Sequence, residues 1–187
     1  MEAWACGGAA AAAPEERLEA AGEAQQRMVI LNVPFCRQET WDTCAPACLR
    51  MALAFRFPHQ RRPVREARLA KQCRCKPGLG VLVENAYRTA CYYKLDAQWL
   101  DNTRIETDVA AALAAGCPVL ANVQLRLLPY YLLAQPPKAW HSVLIVGLDH
   151  QDVYLHDPDQ WGGAYRQVRQ ADFFVGWAIE PYSAYRV

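Results

Sequence analysis

The stretch Gln38-Glu-Thr-Trp-Asp-Thr-Cys44-Ala-Pro-Ala-Cys48-Leu-Arg-Met51 constrains this chain more than any other. Beyond Cys44 the apolar positions fall at Cys48, Met51, Ala52 and Phe55, spacings of three and four that bury one face of a helix. Asp42 or Thr43 is placed to cap that helix. Pro46 is tolerated in its first turn, where backbone N–H groups lack intrahelical acceptors. Cys44 therefore stands at a helix N-terminus. There the aligned peptide dipoles favour thiolate over thiol, and the thiolate is the nucleophile. Gln38 lies in the extended segment leading in. Its side-chain amide and the backbone N–H of Cys44 are the expected donors to an oxyanion beside the sulfur.

Nucleophilic cysteine chemistry also needs a histidine and a group to orient it. Histidines occur at 59, 141, 150 and 156. His59 adjoins a proline in a charged segment, and His150 falls in a turn. His141 opens the run His141-Ser-Val-Leu-Ile-Val-Gly-Leu148, almost wholly apolar and so read as a central strand covered on both faces. An imidazole buried there needs partners. Asp149-His-Gln-Asp152 makes a turn, and Val153-Tyr-Leu-His156 returns as the paired strand, bringing Asp157 back toward the His141 end. A tight hairpin opposes Asp157 to Leu144 and leaves His141 roughly 10 Å further along. A bulge, a wider turn or a departure of the chain after His156 has to close that gap. Asp159 is the alternative carboxylate.

The chain is long enough, at 187 residues, for one domain with a sizeable core. Its net charge of +1 does not mark it as a binder of nucleic acid or of a membrane surface. That charge is unevenly spread. From Arg56 to Lys76 eight Lys or Arg face the single acid Glu66, a net +7, which reads either as a solvated face or as a docking patch for an acidic partner. Eight cysteines are too sparse for a disulfide scaffold. Cys73-Arg-Cys75 has no histidine beside it to make a zinc site, so both are expected to be structural or surface thiols. No cofactor or metal is called for. With neither a signal-peptide pattern nor an apolar run of transmembrane length, a reducing cytoplasm is the expected location.

Residues 1–27 are Ala- and Glu-rich and read as a flexible tail, with Gly7-Gly8 inside it; 28–187 form the domain. Met28 to Phe35 reads as a strand delivering the chain to Gln38. Helices are expected at Val64–Gln72, Val81–Cys91 and Asp108–Gly116, the last closed by its glycine, and strands at Tyr92–Leu100 and Cys117–Gln124. Residues 125–140 are apolar but interrupted by three prolines. They read as a loop whose Tyr130, Tyr131 and Trp140 either wall a substrate cleft or pack over the core.

Taken together, these residues resemble the papain-like cysteine peptidases, specifically the bacteriocin-processing peptidases: leader-peptidase domains of bacteriocin exporters and their stand-alone relatives. The likeness is carried by Val33-Pro-Phe, Gln38, Thr43-Cys44-Ala-Pro-Ala-Cys-Leu-Arg-Met51, Leu113-Ala-Ala-Gly116-Cys-Pro-Val119, His141-Ser-Val, Gly147-Leu-Asp149, Val153-Tyr-Leu and Asp157-Pro158, in consistent order over 28–180. It implies an α+β fold in which an N-terminal nucleophile helix packs on a twisted antiparallel sheet. It also implies Cys44 as nucleophile, His141 as general base, Asp157 as orienting carboxylate and Gln38 in the oxyanion hole. Peptide cleavage after small pairs such as Gly-Gly follows from the same likeness, in a cleft narrowed by Trp140 and the apolar loop. Ala45 departs from the glycine such proteins often carry. An acyltransferase or amidase using the same triad, or a non-catalytic peptide-binding module, remain alternative functions.

Overall fold

The computed structural model describes residues 2–6, 28–101, 104–131, 140–159 and 161–177. Among them seven strands form one antiparallel sheet: β1 (Glu2–Cys6), β2 (Val29–Ile30), β3 (Ala97–Asp101), β4 (Val119–Gln124), β5 (Trp140–Leu148), β6 (Asp152–His156) and β7 (Arg166–Arg169). Their order is β3-β1-β4-β5-β6-β7, with β2 laid on β5. Five α-helices accompany the sheet: α1 (Cys44–Arg56), α2 (Glu66–Gln72), α3 (Val83–Tyr92), α4 (Ala110–Ala114) and α5 (Gln170–Trp177). α1 lies against β5 and against α2 and α3.

That triple packing explains a difference from the sequence pattern. The spacing of three and four predicts one buried face, yet Cys44 to Leu49 and Met51 to Leu53 are all buried. Small residues let neighbouring elements close in on every side, so α1 runs through the core rather than along its surface. It stops at Arg56, with Phe57 N–H returning to Leu53 O and Pro58 following. Its cap also differs. Thr43 occupies the N-cap position without a side-chain cap bond, because its hydroxyl is engaged with Thr40 and Glu66.

The expected tail is structured in part. Glu2–Cys6 form β1, laddered to β3 on one side and β4 on the other. Without it β4 would present an unpaired edge next to the central strand, and pairing satisfies those backbone groups. Gly7-Gly8 and the remainder of that segment lie outside the described residues, as does 132–139 of the apolar loop. The helix expected from Asp108 instead begins as a wider π-type turn over Ile105–Val109 before α4. Gly116 closes it with φ of +77°, a left-handed conformation that glycine adopts without strain. Residues 171–177 are helical, with Phe173 and Trp177 one turn apart and buried.

The β5–β6 hairpin sets the geometry that matters most. Asp149 N–H meets Asp152 O at 3.0 Å to close a tight turn. Leu148 then pairs with Val153 and Gly147 with Tyr154, but the next pair is Ile145 with Leu155: Val146 is a bulge. β2 lies beside the bulge, pairing Ile30 with Gly147. Glycine is required there, since a Cβ would stand 2.8 Å from Val29 O. The bulge advances the returning strand by one residue, so Leu144 faces His156. β6 ends at His156, and Asp157 N–H turns away to Gly163 O at 2.9 Å. Two of the three devices that would close the Asp157–His141 gap are therefore both in use.

Candidate active site

His141 is the second residue of β5, buried, and paired across to Val123 of β4. Its Nε2 meets Asp157 Oδ1 at 2.7 Å. Asp157 is fully buried and is met from two further directions: Tyr130 Oη donates to Oδ2 at 2.8 Å, and Asp159 N–H donates to Oδ1 at 3.0 Å. Burial pushes the Asp157 pKa up, but the His141 charge and these hydrogen bonds outweigh it, and the carboxyl lies below its ordinary value. Asp159, the alternative carboxylate, accepts Gln38 Nε2 at 3.0 Å.

The other ring nitrogen of His141, Nδ1, is buried with no hydrogen bond of ordinary geometry among the described residues. Cys44 is nonetheless close enough to raise the pKa of the ring. Burial alone would depress the imidazole pKa. Asp157 and Cys44 together overcome that and lift it to about 9. The ring thus lies between the Asp157 carboxylate and the Cys44 sulfur, surroundings that favour its protonated form. One turn along α1, Cys48 Sγ reaches Ser142 O at 3.6 Å, which pins α1 to β5 beside His141. The thiols around Cys44 are all made less acidic by burial: Cys48 strongly, Cys36 to about 11 and Cys75 to a lesser degree.

Gln38 is buried, and its main-chain N–H donates to Pro158 O at 3.0 Å. Between Gln38 and Cys44 the chain is braced by Glu66, a fully buried carboxylate on α2. Its Oε1 accepts Glu39 N–H at 2.6 Å and the Thr43 hydroxyl at 2.5 Å. Arg50 of α1 stands 3.8 Å from Oε2 and 3.1 Å from Glu39. Sequence reading counted Glu66 only as a stray acid in a basic run. Its helical spacing to the buried Leu69 and Cys73 was the available signal that it faces inward. His156 is a satisfied core group: it bonds Val33 O at 2.9 Å, accepts Tyr165 N–H at 3.0 Å, and burial lowers its pKa.

The three expected wall residues fare differently. Tyr130 spends its hydroxyl on Asp157, with Arg166 stacked 4.1 Å over its ring. Tyr131 is half-buried, and the charges of Asp159 and Asp157 act on its hydroxyl. Trp140 precedes His141 on a regular stretch of β5, so alternation sends the two side chains to opposite faces. Trp161, read from sequence only as a turn residue, is 82% exposed beside the site, with Arg37 stacked 4.1 Å over its ring. No disulfide links the seven cysteines whose side chains are described. Among the described residues no group of three or more His, Cys, Asp or Glu is arranged to hold a metal, and no helix is long and apolar enough to cross a membrane.

A helix-borne cysteine, a strand-borne histidine and a carboxylate on the return, on a curled antiparallel sheet, define the papain-like class. The chain belongs to the Peptidase_C39 like family, whose model matches residues 30–184. It is a cysteine peptidase, an enzyme that hydrolyses peptide bonds. Among solved structures it is similar to a Bacillus anthracis protein assigned to the C39-like peptidases. That likeness has 20% identity and a TM-score of 0.61, and covers 82% of this chain and 93% of that one. Two looser likenesses are a double glycine motif protease from an AMS/PCAT transporter in complex with the leader peptide and the peptidase domain of Streptococcus ComA, a bi-functional ABC transporter. The first has 14% identity, 81% and 93% coverage and a TM-score of 0.47; the second has 13%, 78% and 93%, and 0.48. At 20% identity the first likeness speaks to fold alone, and the two with TM-scores below 0.5 carry no argument. No curated protein sequence matches the chain significantly.

The raised imidazole pKa sets a pH dependence. With His141 taken as the proton donor to the leaving amine, kcat/KM is expected to fall on the alkaline side with a midpoint at about 9, where the ring loses its proton. D157N removes the charge that lifts the ring and moves the alkaline limb to lower pH. A pH–rate profile of both proteins checks the direction; an unmoved limb contradicts it.

Proposed function

We propose that Cys44 is the nucleophile, His141 the general base and acid, Asp157 the group that orients the ring, and Gln38 a donor of the oxyanion hole. The observation that carries this reading is the 2.7 Å His141–Asp157 contact on a ring that Cys44 also acts upon. In the first step the thiolate attacks the amide carbonyl carbon. The developing oxyanion is met by Gln38 Nε2–H and by the Cys44 N–H at the start of α1. Collapse breaks the C–N bond as the imidazolium gives its proton to the leaving amine. Neutral His141 then takes a proton from water, which attacks the thioester. The acid product leaves and the thiolate–imidazolium pair is restored.

For specificity we propose cleavage after small pairs such as Gly-Gly, in keeping with the family resemblance. Cys44 is only 7% exposed and Gln38 9%. A carbonyl reaches so recessed a thiol most easily when the residues before the cut carry little or no side chain. A fluorogenic peptide set differing only in the last two residues before the cut tests this. Gly-Gly and Gly-Ala are expected to turn over at least 10-fold faster than Gly-Leu or Gly-Phe, roughly the discrimination one bulky side chain provides. Equal turnover of Phe or Leu, or products formed only with an added amine acceptor, contradicts the reading.

The segment Arg56–Lys76 supports a further proposal, the docking of an acidic region of the substrate or of a partner. All eight of its cations are exposed, whereas its one acid, Glu66, is buried beneath them. The outward face is thus more basic than the sequence sum. Reversing Arg61, Arg62 and Arg65 to Glu is expected to weaken processing of a substrate with an acidic flank and flatten its salt dependence, leaving a short neutral peptide unaffected. If both substrates respond alike, the segment is only a solvated face.

A further inference from the structure

The segment Asp157-Pro158-Asp159 touches both halves of the site. Asp157 holds His141, Pro158 O holds the Gln38 main chain, and Asp159 Oδ1 accepts Gln38 Nε2 at 3.0 Å. Asp159 N–H is itself bound to Asp157 Oδ1 at 3.0 Å. We propose that Asp159 is a positioning residue for this peptidase, holding the Gln38 amide so that its nitrogen rather than its oxygen faces the carbonyl under attack. The proposal rests on the reading of Gln38 as an oxyanion-hole donor and goes beyond it.

The two ends of a glutamine amide are nearly identical in shape and opposite in chemistry: one carries two N–H donors, the other only acceptors. Nothing in the size of a pocket distinguishes them. With the amide reversed, Oε1 would turn lone pairs toward the oxyanion and repel the charge it is meant to stabilise. Discrimination has to come from a neighbour that accepts but cannot donate, and an ionised carboxylate is such a neighbour. Gln38 Oε1 is buried with no hydrogen-bond partner among the described residues, so no bond at that end sets the orientation. The Asp159 bond does. Nε2 carries two N–H bonds, and Asp159 engages one, leaving the other for the substrate oxygen. This arrangement places a negative charge near the oxyanion, which opposes the reaction. Asp159 therefore contributes through the amide it orients and not through its own field.

The test separates that role from a structural one with two probes of the same thiol. A peptide aldehyde adds to Cys44 and leaves an oxygen where the oxyanion forms, whereas iodoacetamide alkylates the sulfur by displacement at carbon and needs no oxyanion donor. D159L is expected to lower kcat/KM and aldehyde affinity together by about 10- to 100-fold, less than or at most equal to the lower end of the ~10²–10³ that outright loss of an oxyanion donor costs. Its alkylation rate and the pH dependence of that rate stay as in the native protein, which also shows that the site is folded. D159N can accept through Oδ1 but can also donate through Nδ2, so it holds the Gln38 amide less selectively and is expected to fall between the native protein and D159L. Adding D159L to Q38A costs nothing more. Unchanged or tighter aldehyde binding by D159L overturns the proposal, as do D159L and Q38A effects that multiply. Aldehyde binding that Q38A leaves untouched fails at the earlier step, the reading of Gln38, and takes the proposal with it.

Discussion

A carboxylate with no exposed surface has to be surrounded, and Asp157 is the group around which this site is arranged. An unpaired charge in such a place is strongly unfavourable. Three donors converge on it: the His141 ring, the Tyr130 hydroxyl and the Asp159 N–H. Each draws in a different part of the chain. His141 brings the central strand and, through Cys48 and Ser142 O, α1. Tyr130 brings the segment after β4, with Arg166 of β7 stacked over its ring. Burial and the nearby Asp157 charge push the Tyr130 pKa well above its ordinary value, so it remains a donor throughout the working pH range.

The Cys44 side has its own buried carboxylate. Glu66 accepts from Glu39 N–H and Thr43 Oγ1, and so holds the turn between Gln38 and Cys44 from below. The usual helix cap is traded for this brace, since Thr43 Oγ1 bonds to α2 and Thr40 rather than to the first-turn amides of α1.

Much of this architecture was legible. The period of α1, its stop at Pro58, the all-apolar run of β5 and the return through β6 follow from local chemistry, and α1 and β5 carry the family resemblance as well. What escaped was set by contacts distant in sequence. The bulge at Val146 depends on β2 lying against Gly147, a pairing between residues more than a hundred apart. β1 joins the sheet through backbone ladders to β3 and β4, which composition does not encode. Tyr130 reads from the sequence either as a cleft wall or as an aromatic packed over the core, and its hydroxyl bond to Asp157 is a contact that spacing does not encode. The division of labour between Asp157 and Asp159 was undecidable from spacing alone, because it turns on the one-residue advance that the bulge supplies.

The central claim is that one thiol is set apart from its neighbours by a helix N-terminus and by the His141–Asp157 pair. Brief treatment with limiting iodoacetamide, followed by peptide mapping of all eight cysteines, tests it most directly. Burial raises the pKa of Cys36, Cys48, Cys73, Cys75 and Cys117, so label is expected first at Cys44 near neutral pH. Replacing His141 by Ala should abolish that preference. Label arriving first at Cys75 or at the exposed Cys91, or a Cys44 rate indifferent to His141, would contradict the account.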